Sequence, residues 1–267
     1  MKHQARKRFG QNFLTDSHVV DDIIAAFHPV VGQHVVEVGP GLGVLTTRLL
    51  PIIKKLDVIE LDRDLIPKLK AVCLAVCEHE DDLQIYNEDV LKFDFSKLTH
   101  DEQPLRIIGN LHYNISTPLI FYLLEQNIKI QDMLFMLQKE VVDRMGAAPG
   151  SKQYGRLSVM TQYYCEVHKL FDVDASAFSP PPKVQSSIVQ LLPYRELPIK
   201  AHDEQLLKTI VTKAFSKRRK TLRNSLKDII DIKELTELGI DPVVRAEQLS
   251  VEQFVKISNL VENNVGE

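Results

Sequence analysis

The stretch His34–Leu50, H-V-V-E-V-G-P-G-L-G-V-L-T-T-R-L-L, decides the fold class of this chain. It begins with a short β-branched run that is typical of a buried strand, and it ends with an apolar-periodic run that opens a helix. Between them stand Gly39, Gly41 and Gly43, which permit a tight turn and let a ligand approach the backbone closely. Free N–H groups at the start of the helix favour a polar or anionic ligand.

A second strand favours a ligand site over a plain strand–turn–helix connection. The sequence D-V-I-E-L-D, Asp57–Asp62, places Glu60 21 positions after Gly39. Rossmann-type units place a carboxylate on ribose hydroxyls at about this spacing. The turn reads G-P-G-L-G rather than G-x-G-x-x-G, so it does not match the nicotinamide fingerprint. A nucleoside-type cofactor fits, and its identity is open at this point.

Length and composition limit the class of protein. With 267 residues, 44% of them hydrophobic, the chain can form one large domain, or one large domain and a smaller one. Its three cysteines argue against a disulfide framework, and Cys73 and Cys77 are interpreted as core thiols rather than a metal site. The sequence has no apolar run of about 18 residues and no signal-peptide pattern at its N-terminus. We therefore predict a cytoplasmic protein without a metal ion.

Positive charge is concentrated in two segments, although the net charge is only −3. Residues 1–15 carry +4 and residues 208–227 carry +8 without an acid, so the rest of the chain carries about −15. A basic arm and a basic helix on an acidic body favour nucleic acid as a partner over a merely solvated helix face. The predicted contacts are Arg6, Lys7, Arg8, Lys217, Arg218, Arg219, Lys220 and Arg223.

Two further strands are predicted to end at the same edge of the sheet. The strand in Leu83–Val90 runs into a turn that carries Asp89. Because the carboxyl ends of parallel strands face the ligand crevice, Asp89 would lie beside Glu60 and could accept from an adenine amino group. The alternative is a carboxylate that only caps a turn. The next strand ends at Ile108, and Asn110 follows in a polar loop.

The loop N-L-H-Y, residues 110–113, suits the methylation of an adenine amine. This amine is a poor nucleophile because its lone pair is delocalised into the ring. The side-chain oxygen of Asn110 and a nearby backbone carbonyl can accept its N–H bonds and aim the lone pair at an electrophile. Tyr113 offers a stacking surface, and Phe178, beside a triple-proline loop, could sandwich the base. The alternative is an Asx-turn with a core tyrosine.

The pattern of elements changes near residue 195. Strands and helices alternate up to Ile188–Leu192, and a proline-containing linker follows. The remaining segments show only helical periodicity: Asp203–Phe215, Lys217–Ile230, Ile232–Leu238 and Ser250–Glu262. We predict an α/β cofactor-binding domain over residues 1–195 and a helical domain over residues 203–267.

Over almost its whole length the chain resembles the bacterial small-subunit ribosomal RNA adenine dimethyltransferases, the KsgA/RsmA family. The motifs that carry the resemblance are R-K-R-F-G-Q-N-F-L (6–14), E-V-G-P-G-L-G (37–43), V-I-E-L-D-R-D (58–64), N-I-S-T-P-L (114–119), F-M-L-Q-K-E-V (135–141), Y-G-R-L-S-V-M-T-Q-Y-Y (154–164) and F-S-P-P-P-K-V (178–184). The resemblance implies a Rossmann-like class I methyltransferase sheet with a small C-terminal all-helical domain.

The resemblance also implies an activity and a substrate. Such an enzyme uses S-adenosyl-L-methionine to dimethylate N6 of two adjacent adenosines near the 3′ end of 16S rRNA, within the assembling small (30S) subunit. The implied cofactor residues are Asn12, Leu14, Gly39, Gly41, Glu60, Asp89 and Asn110. Those implied to hold the target adenosine are Asn110, Leu111 through its carbonyl, Tyr113 and Phe178. We expect a monomer that binds no membrane.

One residue departs from the family pattern N-L-P-Y. His112 stands where the family has proline, so we predict a more mobile loop with retained chemistry.

Three other interpretations stay open at this point. A large-subunit rRNA adenine methylase of the antibiotic-resistance type would share the chemistry, but the helical tail and the 154–164 motif argue against it. A non-catalytic ribosome assembly factor is disfavoured by the intact Asn110, Tyr113, Glu60 and Asp89. A nicotinamide oxidoreductase is disfavoured by the turn sequence.

Overall fold

The computed structural model describes residues 12–98, 103–112, 114–126, 128–217 and 219–265, with side chains described up to residue 262. These residues form two compact units. The first contains residues 12–142 and 168–193, and the second contains residues 143–167 and 194–265. No helix in this part of the chain is both long enough and apolar enough to cross a membrane.

The strands of the described residues build one large sheet and one short pair. In chain order they are β1 Phe13–Leu14, β2 Val35–Val38, β3 Leu56–Ile59, β4 Leu83–Tyr86, β5 Leu105–Asn110, β6 Ile130–Gln138, β7 Cys165–Val173, β8 Phe178–Ser179 and β9 Ser186–Pro193. The large sheet has the order β4-β3-β2-β5-β6-β9-β7, and β1 pairs with β8. Strands β2 to β6 are parallel to their neighbours among themselves, whereas β9 runs antiparallel to β6.

The helices alternate with the strands up to β9, as predicted, and the remaining helices of the described residues follow that strand. In chain order the helices are α1 Ser17–Phe27, α2 Thr46–Ile53, α3 Ile66–Cys73, α4 Ser116–Glu125, α5 Lys139–Met145, α6 Arg156–Tyr164, α7 Glu204–Phe215, α8 Leu222–Ser225, α9 Ile232–Glu237 and α10 Val251–Val265. Helix α1 begins after Asp16, because the Asp16 carboxylate accepts from the backbone N–H of His18 at 2.9 Å. The strand order reverses between β2 and β5, which is where a doubly wound sheet binds its ligand.

A glycine lets β5 approach β2 at this reversal point. A Cβ atom on Gly109 would lie 2.5 Å from the backbone oxygen of Val38, closer than two such atoms can approach. The next residue, Asn110, is therefore held beside the turn that follows β2. A Cβ atom on Gly39 would lie 3.9 Å from the backbone oxygen of Asn110.

A buried ion pair ties helix α1 to the sheet. Arg106 on β5 is only 5% exposed and donates through Nε and Nη2 to the two carboxylate oxygens of Asp132, at 2.7 and 2.8 Å. The same guanidinium donates to the backbone oxygen of Phe27 at 2.6 Å and to Gln33 Oε1 at 2.7 Å. Its carbon lies 4.1 Å from the centre of the Phe27 ring. One side chain thus joins two strands and the end of α1.

The second unit is helical but begins earlier in the chain than we predicted. The ring of Tyr154 packs against Phe215 of α7, which in turn packs against Phe254 of α10. Tyr163 of α6 accepts from the backbone N–H of Ala201 at 3.1 Å, and Tyr164 donates to Glu204 at 2.8 Å. These contacts place residues 143–167 with the second unit, whereas our division at residue 195 assigned them to the first domain.

The predicted helix over Lys217–Ile230 is wrong. Among the described residues of this segment, the structure has only the four-residue helix α8. Thr221 forms a β-bridge with Arg245, the N–H of Leu222 donates to the Val244 oxygen at 2.9 Å, and the N–H of Arg223 donates to the Pro242 oxygen at 3.1 Å. These long-range backbone bonds replace the hydrogen bonds that a helix would make there.

Candidate cofactor and active site

The turn after β2 has the backbone conformation that its glycines predict. Gly39, Gly41 and Gly43 have φ angles of 68°, 58° and 82°, in the left-handed region that side chains disfavour. The N–H of Gly39 donates to the backbone oxygen of Ile59 at 2.9 Å, which joins the turn to the end of β3. The first half of the turn consequently offers bare backbone to a ligand.

Glu60 follows β3 and is fixed against this turn. Its Oε2 accepts from the N–H of Gly41 at 3.1 Å, and its Oε1 accepts from the N–H of Asp62 at 2.7 Å. The side chain is buried, and burial raises the pKa of its carboxyl group while these two hydrogen bonds oppose the rise. An ionised carboxylate has about four lone-pair sites, so acceptor capacity remains for ribose hydroxyls.

The pairing of β1 with β8 brings the N-terminal part of the described chain to the turn. Leu14 pairs with Phe178 in this ladder, and the N–H of Thr15 donates to the backbone oxygen of Ala177 at 2.8 Å. One cavity beside the turn is lined by six of the seven predicted cofactor residues: Asn12, Leu14, Gly39, Gly41, Glu60 and Asn110.

The seventh predicted cofactor residue, Asp89, lines a second cavity. This cavity shares Gly39, Glu60 and His112 with the first. The Asp89 carboxylate also accepts from the N–H of Leu91 at 3.1 Å, so it caps its own turn as well as facing the cavity. All seven predicted cofactor residues therefore border two adjoining cavities at the carboxyl edge of the sheet.

The residues predicted to hold the target amine are only partly brought together. Asn110 is the last residue of β5 rather than a loop residue, because β5 continues alongside β6 as far as Met136. Leu111 is buried, and its N–H donates to the Met136 oxygen at 3.2 Å. Strand pairing thus fixes the backbone on both sides of the Asn110 side chain.

The side chain of Phe178 lines neither of the two cavities. Its side chain is 5% exposed and packs in the core cluster that contains Leu14 and Ile188. A stacking role would require this side chain to leave its packing, and it stays a prediction. The predicted residues Tyr113, Arg6, Lys7, Arg8 and Arg218 lie outside the described residues.

Sequence reasoning missed Glu37, which lies in β2 and lines the first cavity. Its side chain is 2% exposed and accepts from the Thr46 hydroxyl at 2.6 Å. Burial raises its pKa to about 8, and the neighbouring charge of Glu60 adds to the rise. The sequence feature that could have identified Glu37 is a single acid inside the otherwise apolar run V-V-E-V.

The chemistry of the two cavities fits a cationic nucleoside cofactor. Their lining includes five acidic residues, Glu37, Glu60, Asp62, Glu88 and Asp89, and no lysine or arginine among the described residues. Carboxylates would repel a pyrophosphate group, whereas they accept from ribose hydroxyls and amino groups and stabilise positive charge. The described residues also hold no cluster of three or more His, Cys, Asp or Glu that could bind a metal ion.

Comparison with known proteins identifies the family. The family model described as ribosomal RNA adenine dimethylase matches residues 2–263. The chain belongs to this family. A relative from Marinomonas sp. (strain MWYL1) is 51% identical over 259 residues, which cover 97% of this chain and 96% of the relative. A relative from Klebsiella pneumoniae (strain 342) is 51% identical over 264 residues, 98% and 95% of the two chains. Both are named ribosomal RNA small subunit methyltransferase A.

Solved structures of related proteins confirm the predicted class I methyltransferase fold. A dimethyladenosine transferase from Plasmodium falciparum superposes with a TM-score of 0.81 at 28% identity, covering 95% of this chain and 98% of that one. The 23S rRNA methyltransferase ErmE superposes with a TM-score of 0.73 at 22% identity, covering 94% and 100%. At that identity the second likeness supports the fold alone. As a family member, this chain is an S-adenosylmethionine-dependent rRNA adenine dimethyltransferase.

Proposed function

We propose that this enzyme dimethylates N6 of two adjacent adenosines near the 3′ end of 16S rRNA, within the assembling small ribosomal subunit. The observation that carries the proposal is the convergence of the glycine turn, Glu60, Asp89 and Asn110 at one edge of the sheet. Relatives at about half identity over nearly the full length are named for the small subunit. We further propose that the chain acts as a monomer in the cytoplasm.

The proposed cofactor contacts follow from the positions of the side chains. Glu60 would accept the ribose hydroxyls, and Asp89 would accept from the adenine amino group. The glycine turn and Asn12 would border the remainder of the molecule. When bound, S-adenosylmethionine supplies an electrophilic methyl group.

The proposed role of Asn110 and Leu111 is to hold the target amine. The side-chain oxygen of Asn110 and the backbone carbonyl of Leu111 would accept its two N–H bonds, which directs the nitrogen lone pair towards the methyl group. No strong base is required, because the amine becomes acidic once it carries the new methyl group and can release its proton to water. Tyr113 and Phe178 are proposed to stack on the base.

The proposal is tested with methyl-labelled S-adenosylmethionine and small subunits that lack the modification. We expect label on two neighbouring adenosines near the 3′ end of the small-subunit rRNA. Label on large-subunit rRNA alone would favour the antibiotic-resistance type of methylase. Binding to small subunits without any labelling would favour a non-catalytic assembly factor.

Replacing His112 by proline is expected to raise kcat/KM by about two- to fivefold, because proline fixes the backbone of a loop that now has more freedom. His112 is partly exposed and lines both cavities, and its backbone oxygen accepts from the N–H of Ile115 at 3.1 Å. The measurement is initial rates with unmodified small subunits. An unchanged or lower kcat/KM would contradict this account of position 112.

The basic segment of the second unit is proposed to contact RNA phosphates. Lys217, Arg219, Lys220 and Arg223 are exposed, and the structure records no ion pair between any of them and a described carboxylate. The nearby Lys213, by contrast, pairs with Asp228 at 3.3 Å.

Replacing Arg218, Arg219 and Lys220 by alanine should flatten the salt dependence of small-subunit binding. Each lost phosphate contact lowers the slope of log K against log salt concentration by roughly 0.7 to 0.9, so we expect a reduction of about 2 to 3. Binding is measured between low and moderate salt. The exposed Lys55, Lys70 and Lys129, replaced together, give a control with the same change of net charge. An equal slope change in both triple variants would refute the assignment.

A further inference from the structure

The side-chain amide of Asn87, directly after β4, joins the ends of β3 and β4. Its Nδ2 donates to the backbone oxygen of Glu60 at 2.7 Å and to that of Leu61 at 3.3 Å. The N–H of Glu60 donates to the backbone oxygen of Tyr86 at 2.9 Å. In a continuing parallel pair, a backbone N–H of β4 would bond the Glu60 oxygen. The Asn87 side chain takes that place, so the chain can leave the ladder after Tyr86 while the two strand ends stay joined.

The two segments that Asn87 joins form two walls of the second cavity. Residues 59–62, at and after the end of β3, contribute one wall, and residues 88–90 contribute the other. Asn87 itself lines neither cavity. Its hydrogen bonds therefore set the separation between the wall that carries Glu60 and the wall that carries Asp89.

The two walls carry charges of the same sign. Glu60 and Asp62 belong to the first wall, and Glu88 and Asp89 belong to the second. Lys97 lies 3.5 Å from Glu88 and offsets part of this charge. Carboxylates on facing segments repel each other. An amide that donates from one wall to the other opposes this repulsion and adds no charge of its own.

Resting on the function proposed above, we infer that Asn87 is a positioning residue for S-adenosylmethionine. It holds Glu60, the proposed acceptor for the ribose, and Asp89, the proposed acceptor for the adenine amino group, at the separation that one adenosine group spans. The proposed contacts to the target amine, by contrast, follow β5, which lies on the other side of β2. The effect of Asn87 should therefore fall on cofactor binding and not on the methyl-transfer step.

Calorimetric titration of the ligand-free protein with S-adenosylmethionine tests the inference. Asn87→Ala should raise the Kd by about tenfold, because two ordinary hydrogen bonds are lost. Asn87→Asp keeps the shape of the side chain, but as a carboxylate it donates no N–H bond and adds a charge, so its Kd should rise further. Gln84→Ala, exposed on β4, is the matched control and should keep the Kd of the wild type. A wild-type Kd for Asn87→Asp, or an equal rise in Gln84→Ala, would overturn the inference.

Two further readouts separate positioning from a general loss of structure. With unmodified small subunits, Asn87→Ala should raise the KM for S-adenosylmethionine, while kcat at saturating cofactor stays within about twofold of the wild type. Because salt screens the repulsion between the walls, the Kd of Asn87→Ala divided by that of the wild type should fall as the salt concentration rises. A lower kcat with an unchanged KM, or a ratio that does not vary with salt, would contradict the assignment.

A cycle of double variants tests whether Asn87 acts through Glu60. The factor by which Asn87→Ala combined with Glu60→Gln raises the Kd should be smaller than the product of the two single factors. A factor equal to that product would show independent action and remove the positioning role. Asn87→Ser keeps a hydroxyl donor and should bind more tightly than Asn87→Ala, so it replaces the alanine variant in the cycle if that variant fails to fold. Failure of the wild type to bind S-adenosylmethionine would overturn the proposed function and this inference together, whereas the other contrary outcomes would overturn this inference alone.

Discussion

Replacement of Asn110 by alanine should lower kcat for methyl transfer by about a thousandfold while the protein stays folded. The side chain is expected to accept from the target amine, and losing one preorganised polar contact at a reacting centre costs roughly 100- to 1,000-fold in kcat. Loss of the directed lone pair adds to this cost. Strand pairing through Gly109 and Met136 holds the backbone independently of the side chain, so the fold should tolerate the change.

Labelled methyl transfer to unmodified small subunits measures the effect, and thermal unfolding checks the fold. Asn110→Asp keeps an accepting oxygen, so it should retain more activity than the alanine variant. Gln84, exposed on β4, supplies a control, because Gln84→Ala should leave kcat unchanged. A kcat for Asn110→Ala within tenfold of the wild type would remove Asn110 from the proposed mechanism.

Replacement of Arg106 by methionine should lower the free energy of unfolding by about 3 to 5 kcal/mol. The variant leaves Asp132, which is 3% exposed, without its bidentate partner, and it also strips donors from the Phe27 oxygen and Gln33. Denaturant unfolding monitored by circular dichroism measures the loss.

A double variant and an exposed pair test this explanation. Arg106→Met combined with Asp132→Leu removes the unpaired charge, so it should recover part of the lost stability. Lys233 and Glu237 form an exposed pair at 3.7 Å, and Lys233→Met should have little effect. A double variant that is no more stable than Arg106→Met would show that the buried charge is not the source of the loss.

The parts of the site that follow from local backbone requirements were predictable from the sequence. The glycine turn and the spacing to Glu60 predicted the cofactor cavity, and the structure gives those glycines the required φ angles. Asp89 and Asn110 were placed correctly at the carboxyl edge once parallel strands were inferred.

The parts that depend on distant contacts were not predictable. Phe178 was expected at a cavity mouth, but the pairing of β8 with β1 buries it in the core. The periodicity of the basic segment predicted a helix, but backbone hydrogen bonds from Leu222 and Arg223 to Val244 and Pro242 replace most of it. The buried ion pair of Arg106 was not predicted, because its partner Asp132 is 26 positions away in the sequence.

The pairing of β1 with β8 also determines when a newly made chain can complete the first cavity. Asn12 and Leu14 are synthesised long before the strand with which β1 pairs, because Thr15 and its partner Ala177 are 162 positions apart. A nascent chain that ends before Ser179 therefore lacks one wall of the cavity, although its glycine turn and Glu60 are already made. A ligand of the complete cavity is therefore expected to stabilise chains whose synthesis has passed this point, and not earlier folding intermediates.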